Sequence, residues 1–147
     1  METKEAGEQG RGDAKRLEAL RVPLLALHKA LVESERVEYE KTIGKIQSPN
    51  HFLQLLTTDP WFAWLSPLSQ LIVSIDEALD GTEPLTPATV QALLRQAALL
   101  LMPSETGSGF ARHYFEAMQR DPDVVLAHGA VVRPRVTPKP GPGQSGR

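Results

Sequence analysis

The chain reads as all-α, an irregular helical bundle of four main helices plus two or three short ones. Three observations predict it. Apolar residues recur at spacings of three and four along most of the length, which lines them up on one helical face. Five candidate helices open on Ser, Thr or Asp followed directly by proline, a capping side chain before a residue suited to the first helical position. No segment shows the period-2 run of β-branched residues, bounded by turn signals, that marks a strand. At 147 residues, with 41% hydrophobic and 23% charged side chains, the sequence is one domain with a packed core.

Residues 1–12 are charged and glycine-containing and are expected to be a disordered N-terminal tail. The bundle domain is expected over 13–129. Asp13 is the expected N-cap of a first helix that runs to about Ile46. Leu17, Leu20, Leu24, Leu27 and Leu31 mark one face, and Leu25, His28, Val32, Glu35, Tyr39, Ile43 and Ile46 form an adjoining stripe. Pro23 lacks the N–H that a helix interior needs, so the helix kinks there or restarts at that residue. Ser48-Pro49, Asp59-Pro60 and Ser66-Pro67 then start helices over 49–57, 60–65 and 67–80, the last buried through Leu68, Leu71, Ile72, Ile75 and Leu79 and ended by Gly81. Thr86-Pro87 starts a helix over 87–102, closed by Pro103. A Gly-Ser loop leads to a helix over about 108–120, and Asp121-Pro122 starts a last short one that ends at Gly129. Residues 130–147, rich in proline and glycine, should form an extended basic tail.

Several function classes drop out on composition. The chain has no cysteine, which excludes disulfides, thiolate metal sites and a cysteine nucleophile, and suits a reducing compartment. The polar first fifteen residues are not a secretory leader, and the longest apolar run, Ala97–Met102, is far short of the ~20 residues of a membrane helix. The expected location is the cytoplasm, with no membrane partner. Residues 14–129 hold ten basic and fourteen acidic side chains, whereas 130–147 hold Arg133, Arg135, Lys139 and Arg147 and no acid. A mildly acidic domain is not built for nucleic acid, so only the basic tail offers an anion a contact. No internal repeat is evident.

The most informative segment is the least charged. Between Ile46 and Leu94 there is no Lys or Arg, and between Ile46 and Ile75 the only charge is Asp59. Phe52, Trp61, Phe62 and Trp64 are concentrated there. Surface helices normally carry charge on the outer face. The segment is therefore either the centre of the bundle or, in part, an interface with a second copy or another protein, where aromatics are favoured and Lys and Glu are shed. Trp61 and Trp64 continue in register with Leu68, Leu71 and Ile75, so Phe62, ~100° away on a helix, is expected to be the exposed aromatic.

Polar candidates are few. His28, Glu35, His113 and Glu116 could be assembled into a two-histidine, two-carboxylate metal site, although His113 and Glu116 reverse the Glu-x-x-His order such sites use. Solvated or ion-paired side chains are the plainer account, and no cofactor is expected. Glu35, Arg36, Tyr39 and Asp76 flank apolar faces, with His28, Arg112 and His113 nearby in the pattern. They suggest an inter-helix salt bridge, Arg36–Asp76 or one using Arg112, or else a ligand pocket between helices. The Gly107-Ser108-Gly109 loop before Arg112 and His113 is open to an anion, but it lacks both the strand and the Gly-Lys-Ser/Thr ending of a phosphate loop. No nucleophile elbow is present, so no catalytic residue is assigned.

Taken together, LHKALVESERVEYEKTIG, LLTTDPWFAWLSPLSQLIVSIDE and RDPDVVLAH resemble a family of small bacterial all-helical proteins with no assigned function, over roughly residues 24–128. That resemblance implies no activity and no site residue. The expectation from the residues is a non-enzymatic protein acting through protein–protein contact, self-association by way of residues 49–75. The alternative is a bundle with a small-ligand or metal site between helices.

Overall fold

The computed structural model describes residues 2–133, with side chains from residue 10 onward. The basic tail expected over 130–147 lies outside the described residues beyond Arg133. Six helices follow one another: α1 (Glu2–Thr42), α2 (Pro49–Thr58), α3 (Ser66–Asp80), α4 (Pro87–Leu100), α5 (Gly109–Arg120) and α6 (Pro122–Val132). A 3-10 segment, Pro60–Leu65, joins α2 to α3. There is no strand among the described residues. The all-α bundle is therefore as the apolar periodicity requires.

The proline-led starts hold at four of five sites. Ser48, Asp59, Thr86 and Asp121 each sit in extended backbone, and each side chain accepts from an N–H two or three residues on. Ser66 is the exception. It already has helical backbone, because the 3-10 segment runs directly into α3 and leaves no break for a cap. Asp13 is likewise no cap. It lies inside α1 with its side chain buried. Pro23 lies within the unbroken α1, its ring buried beside Leu24. α1 stops at Thr42, where the N–H groups of Ile43 and Gly44 both close on the Tyr39 carbonyl. At Gly81, which ends α3, a Cβ would stand 2.6 Å from the Glu77 carbonyl oxygen, so only glycine lets the chain turn there.

The long α1 is the spine. It packs against α6, α3 and α4 and touches the 3-10 segment and α5. Leu17, Leu24, Leu27 and Leu31 are fully buried on it, meeting Leu68, Leu71 and Ile75 of α3, Val90 of α4, Tyr114 of α5 and Val124 of α6 in one core cluster. Two contacts fix how α3 lies: His28 reaches Ser69, and Arg21 reaches Asp76. The partners are seven residues apart on each helix and in opposite order, so α1 and α3 run antiparallel. α6 also runs back along α1, from the Arg120–Glu35 pair just before its start to a groove shared by Val131 and Lys15.

The 3-10 segment reverses the expected roles of the aromatics. Phe62 is 2% exposed and Leu65 3%, whereas Trp61 and Trp64 are only partly buried. At three residues per turn, Phe62 and Leu65 share the inward face and Trp61 and Trp64 share another. The 3.6-residue register that would have turned Phe62 outward does not apply until α3 begins.

A cleft without lysine or arginine between four elements

Phe62 also forms part of a concavity of about 680 Å³. Only His28 and Val32 come from α1. The rest of the lining belongs to residues 56–69, the end of α2, the 3-10 segment and the start of α3. The floor is apolar: Val32, Leu56, Phe62 and Leu65. Thr57, Thr58, Ser66 and Ser69 place hydroxyls around it, and Asp59 stands at the turn.

The helices dictate what those hydroxyls can do. Thr57 donates to the Leu53 and Gln54 carbonyls and Thr58 to Gln54, each within its own helix. Their hydrogens are engaged, so to any partner in the cleft their oxygens are left to act as acceptors. Ser66 Oγ accepts from Gln70 and keeps its own hydrogen for a partner. One Asp59 carboxylate oxygen accepts from the Trp61 N–H at 2.8 Å as the cap of the 3-10 segment.

His28 Nε2 lies 2.8 Å from Ser69 Oγ across the α1–α3 contact, and Ser69 also lies 3.4 Å from the Leu65 carbonyl. Burial lowers the His28 pKa below its ordinary 6.5, so the ring is neutral at physiological pH. The serine–histidine contact resembles half of a nucleophilic pair. Among the described residues no carboxylate bonds the His28 ring, which leaves the pair as two polar groups in the cleft lining.

The other polar candidates are not gathered here. Glu35, buried on α1, is paired with Arg120 at the end of α5, and Ser34 accepts from the same guanidinium at 3.1 Å. Arg36 turns to Glu33 and Glu40 on its own helix. Asp76 meets Arg21, not Arg36. In the antiparallel register Arg36 is fifteen residues, or ~22 Å, further along α1 than Arg21, level with the 3-10 segment. Tyr39 is core, its ring 5.5 Å from Phe62 and 5.7 Å from Trp61. Phe52 closes this cluster at 5.9 Å from Phe62. Arg112 is held by Glu116 and by the Glu105 carbonyl, both at 2.8 Å. His113 bonds the Gly109 carbonyl and stacks on Trp64 at 5.2 Å.

His28, Glu35, His113 and Glu116 are therefore engaged separately, and no group of three metal-ligating side chains exists among the described residues. The salt-bridge expectation was right in kind and wrong in partners. Arg120 and Ser69 were the residues overlooked. Ser69 has a sequence signal, a lone hydroxyl between Leu68 and the Leu71–Ile72 pair at the edge of the buried face. Arg120 has none beyond lying three residues after buried Ala117.

Two indole N–H groups, of Trp61 and Trp64, are shielded from solvent without an acceptor, each a cost of about 1–3 kcal/mol. Behind Trp64, Tyr114 is fully buried, with its hydroxyl 2.5 Å from His128 Nδ1. Burial raises the tyrosine pKa and lowers that of the histidine.

No helix among the described residues is long and apolar enough to cross a membrane. No protein-family model matches the chain, and no curated protein or solved structure is similar enough to match. What the cleft does rests on its own chemistry.

Proposed function

We propose that the protein binds a small, uncharged organic molecule, rich in hydrogen-bonding groups, in the cleft between α1, α2, the 3-10 segment and α3. One observation carries this reading: the stretch of sequence without Lys or Arg, whose one charge before Asp76 is Asp59, coincides with the walls of this cleft of about 680 Å³. Lysine and arginine are missing where a ligand would have to displace their hydration. An apolar floor edged by a few fixed polar groups, at about 300–1,000 Å³, is the usual form of a small-molecule site. Acceptors at Thr57 and Thr58, a donor at Ser66 and neutral His28 favour a ligand with both hydroxyl or amide donors and acceptors. A cytoplasmic setting is in keeping with the lack of cysteine.

Amide NMR of the full chain against a library of neutral polar fragments tests the reading. Hits should move the Thr57–Ala63, Ser66 and Ser69 resonances together, and Ser66→Phe, at an exposed position of the lining that leaves the His28–Ser69 contact in place, should abolish them while the melting temperature holds. A library in which no fragment moves those resonances would remove the proposal.

A second reading, contact with another copy or another protein through residues 49–75, draws on Leu53, 60% exposed on α2, and on the incompletely covered Trp61 and Trp64. Sedimentation decides it. Leu53→Asp should lower the association constant of a dimer, and a wild-type chain monomeric at high concentration excludes self-association.

A further inference from the structure

A second concavity has the opposite chemistry. It is a groove of about 430 Å³ between the N-terminal half of α1, α4 and the end of α6. Its floor is Ala19 and Leu20 of α1, Leu94 of α4 and Val131 of α6, all partly buried, with Val132 49% exposed at the lip. Three cations, Lys15, Arg16 and Arg133, line it, and among the described residues no carboxylate does. Among the described residues Lys15 and Arg133 make no ion pair. Arg16 lies 3.7 Å from Asp13, whose side chain is buried beneath it on α1.

We infer that this groove binds a single-chain anionic amphiphile, a medium-chain carboxylate, with the hydrocarbon on the leucine–valine floor and the head group among Lys15, Arg16 and Arg133. Both halves of the ligand are required by the site. An inorganic anion would leave the apolar floor unfilled, and a neutral hydrocarbon would leave Lys15 and Arg133 without a counter-charge beside Arg16, which has Asp13. The chain's own C-terminal residues are a poor occupant on charge, since positions 134–147 add Arg135, Lys139 and Arg147 and no acid. The size falls within the range of small-molecule sites. The cationic stems of Lys15 and Arg16 extend the apolar wall up to the head group, as long basic side chains commonly do.

The test uses octanoate, octanol and octylamine with the full chain, below micellar concentrations. Octanoate should shift the amide resonances of Ala19, Leu20, Leu94 and Val131, leaving those of Thr57–Ser69 in place, and should bind at least tenfold more tightly than octanol. Lengthening the series from hexanoate to decanoate should tighten binding about fourfold per methylene buried. Raising salt should weaken it. Lys15→Glu/Arg133→Glu, two exposed changes that leave the core alone, should reverse the preference from octanoate to octylamine. Equal binding of octanoate and octanol, an unreversed preference in the double variant, shifts confined to the Thr57–Ser69 cleft, or binding to anionic lipid vesicles without binding of octanoate would each overturn the inference. The groove shares no lining residue with the cleft, so a failure at either site leaves the other standing.

Discussion

α1 is held on its two flanks by different means. Toward α2, the 3-10 segment and the start of α3 it meets Phe62, Trp61 and Ser69 through Tyr39, Val32 and His28, and the Arg21–Asp76 ion pair lies away from these contacts, further along α3. Toward α5 it is fastened by one ionic knot, in which the Arg120 guanidinium is shared by Glu35 and Ser34, with Glu38 at 3.9 Å. The first contact is distributed over rings and methyls and can tolerate a concavity at its edge. The second depends on a single side chain that must arrive in the right place. The uncharged flank is where a cleft can form, because rings and helix-anchored hydroxyls hold their positions without salt-bridge partners that would compete for the space.

The comparison predicts its own largest effect at Phe62. Phe62→Ala should cost ~3–5 kcal/mol in chemical denaturation, since a fully buried ring touching Tyr39 and Phe52 leaves a cavity that its neighbours cannot fill. Trp61→Ala should cost less, although the residue is larger, because its ring is only partly buried and its indole N–H has no acceptor to lose. The reverse order would mean that the 3-10 segment does not set which aromatic faces inward.

The ionic flank should rank second. Arg120→Ala leaves the Glu35 carboxylate buried beside Ser34 with no cation. Breaking a buried pair costs about 3–5 kcal/mol, reduced here to ~2 kcal/mol because the Arg120 side chain is 28% exposed and water can partly replace it. Glu35→Gln in the Arg120→Ala background should recover much of that loss. A double variant no more stable than the single one would show that Glu35 does not depend on its partner.

These two flanks were unequally legible in the sequence. Proline behind a capping side chain announced four helix starts to the residue, because cap and proline are local and no tertiary contact is needed to read them. Helix ends were less clear. Gly129 reads as a stop, yet α6 continues to Val132, since a glycine costs a helix only ~1 kcal/mol and packing against α1 exceeds that. The inward face of Pro60–Leu65 could not be read, because the count that finds an α-helical face misassigns a 3-10 turn. The polar pairings were beyond reach for another reason. Arg36 and Arg21 offer Asp76 the same charge, and only the antiparallel register of α1 and α3 chooses between them. The missing charge was legible, but as a core or an interface, and nothing in it marked a cleft. Ser69, which faces His28, became meaningful only once that register was known.

Acid should separate the flanks further. The pKa of His28 on the uncharged side and that of His128 behind Tyr114 are both lowered by burial. Folded pKa values below the ordinary 6.5 mean that the unfolded chain takes up protons first as pH falls, so stability present above about 6.5 is lost below it. The melting temperature should fall between pH 7 and 5, and His28→Gln should flatten part of the decline by keeping a neutral partner for Ser69. A profile unchanged by His28→Gln would place the acid sensitivity at His128 or elsewhere.

The smallest effect tests whether the difference between the flanks is one of charge or of burial. Arg21 and Asp76 are also an α1–α3 ion pair, 2.8 Å apart, but their side chains are 31% and 40% exposed and the contact is not aligned as a hydrogen bond. Exposed pairs contribute about 0–1 kcal/mol, because water screens the attraction and two long side chains lose rotamer freedom to make it. Arg21→Ala should therefore lower stability by less than ~1 kcal/mol, several-fold below Arg120→Ala, and 1 M salt should erase most of that small loss while leaving the Arg120→Ala loss largely in place. Equal costs for the two variants would mean that ion pairing itself holds α1, wherever the pair sits. Unequal costs in the expected order would make the buried acceptors Glu35 and Ser34 the reason Arg120 matters, since a carboxylate out of reach of water cannot replace its lost cation with solvent.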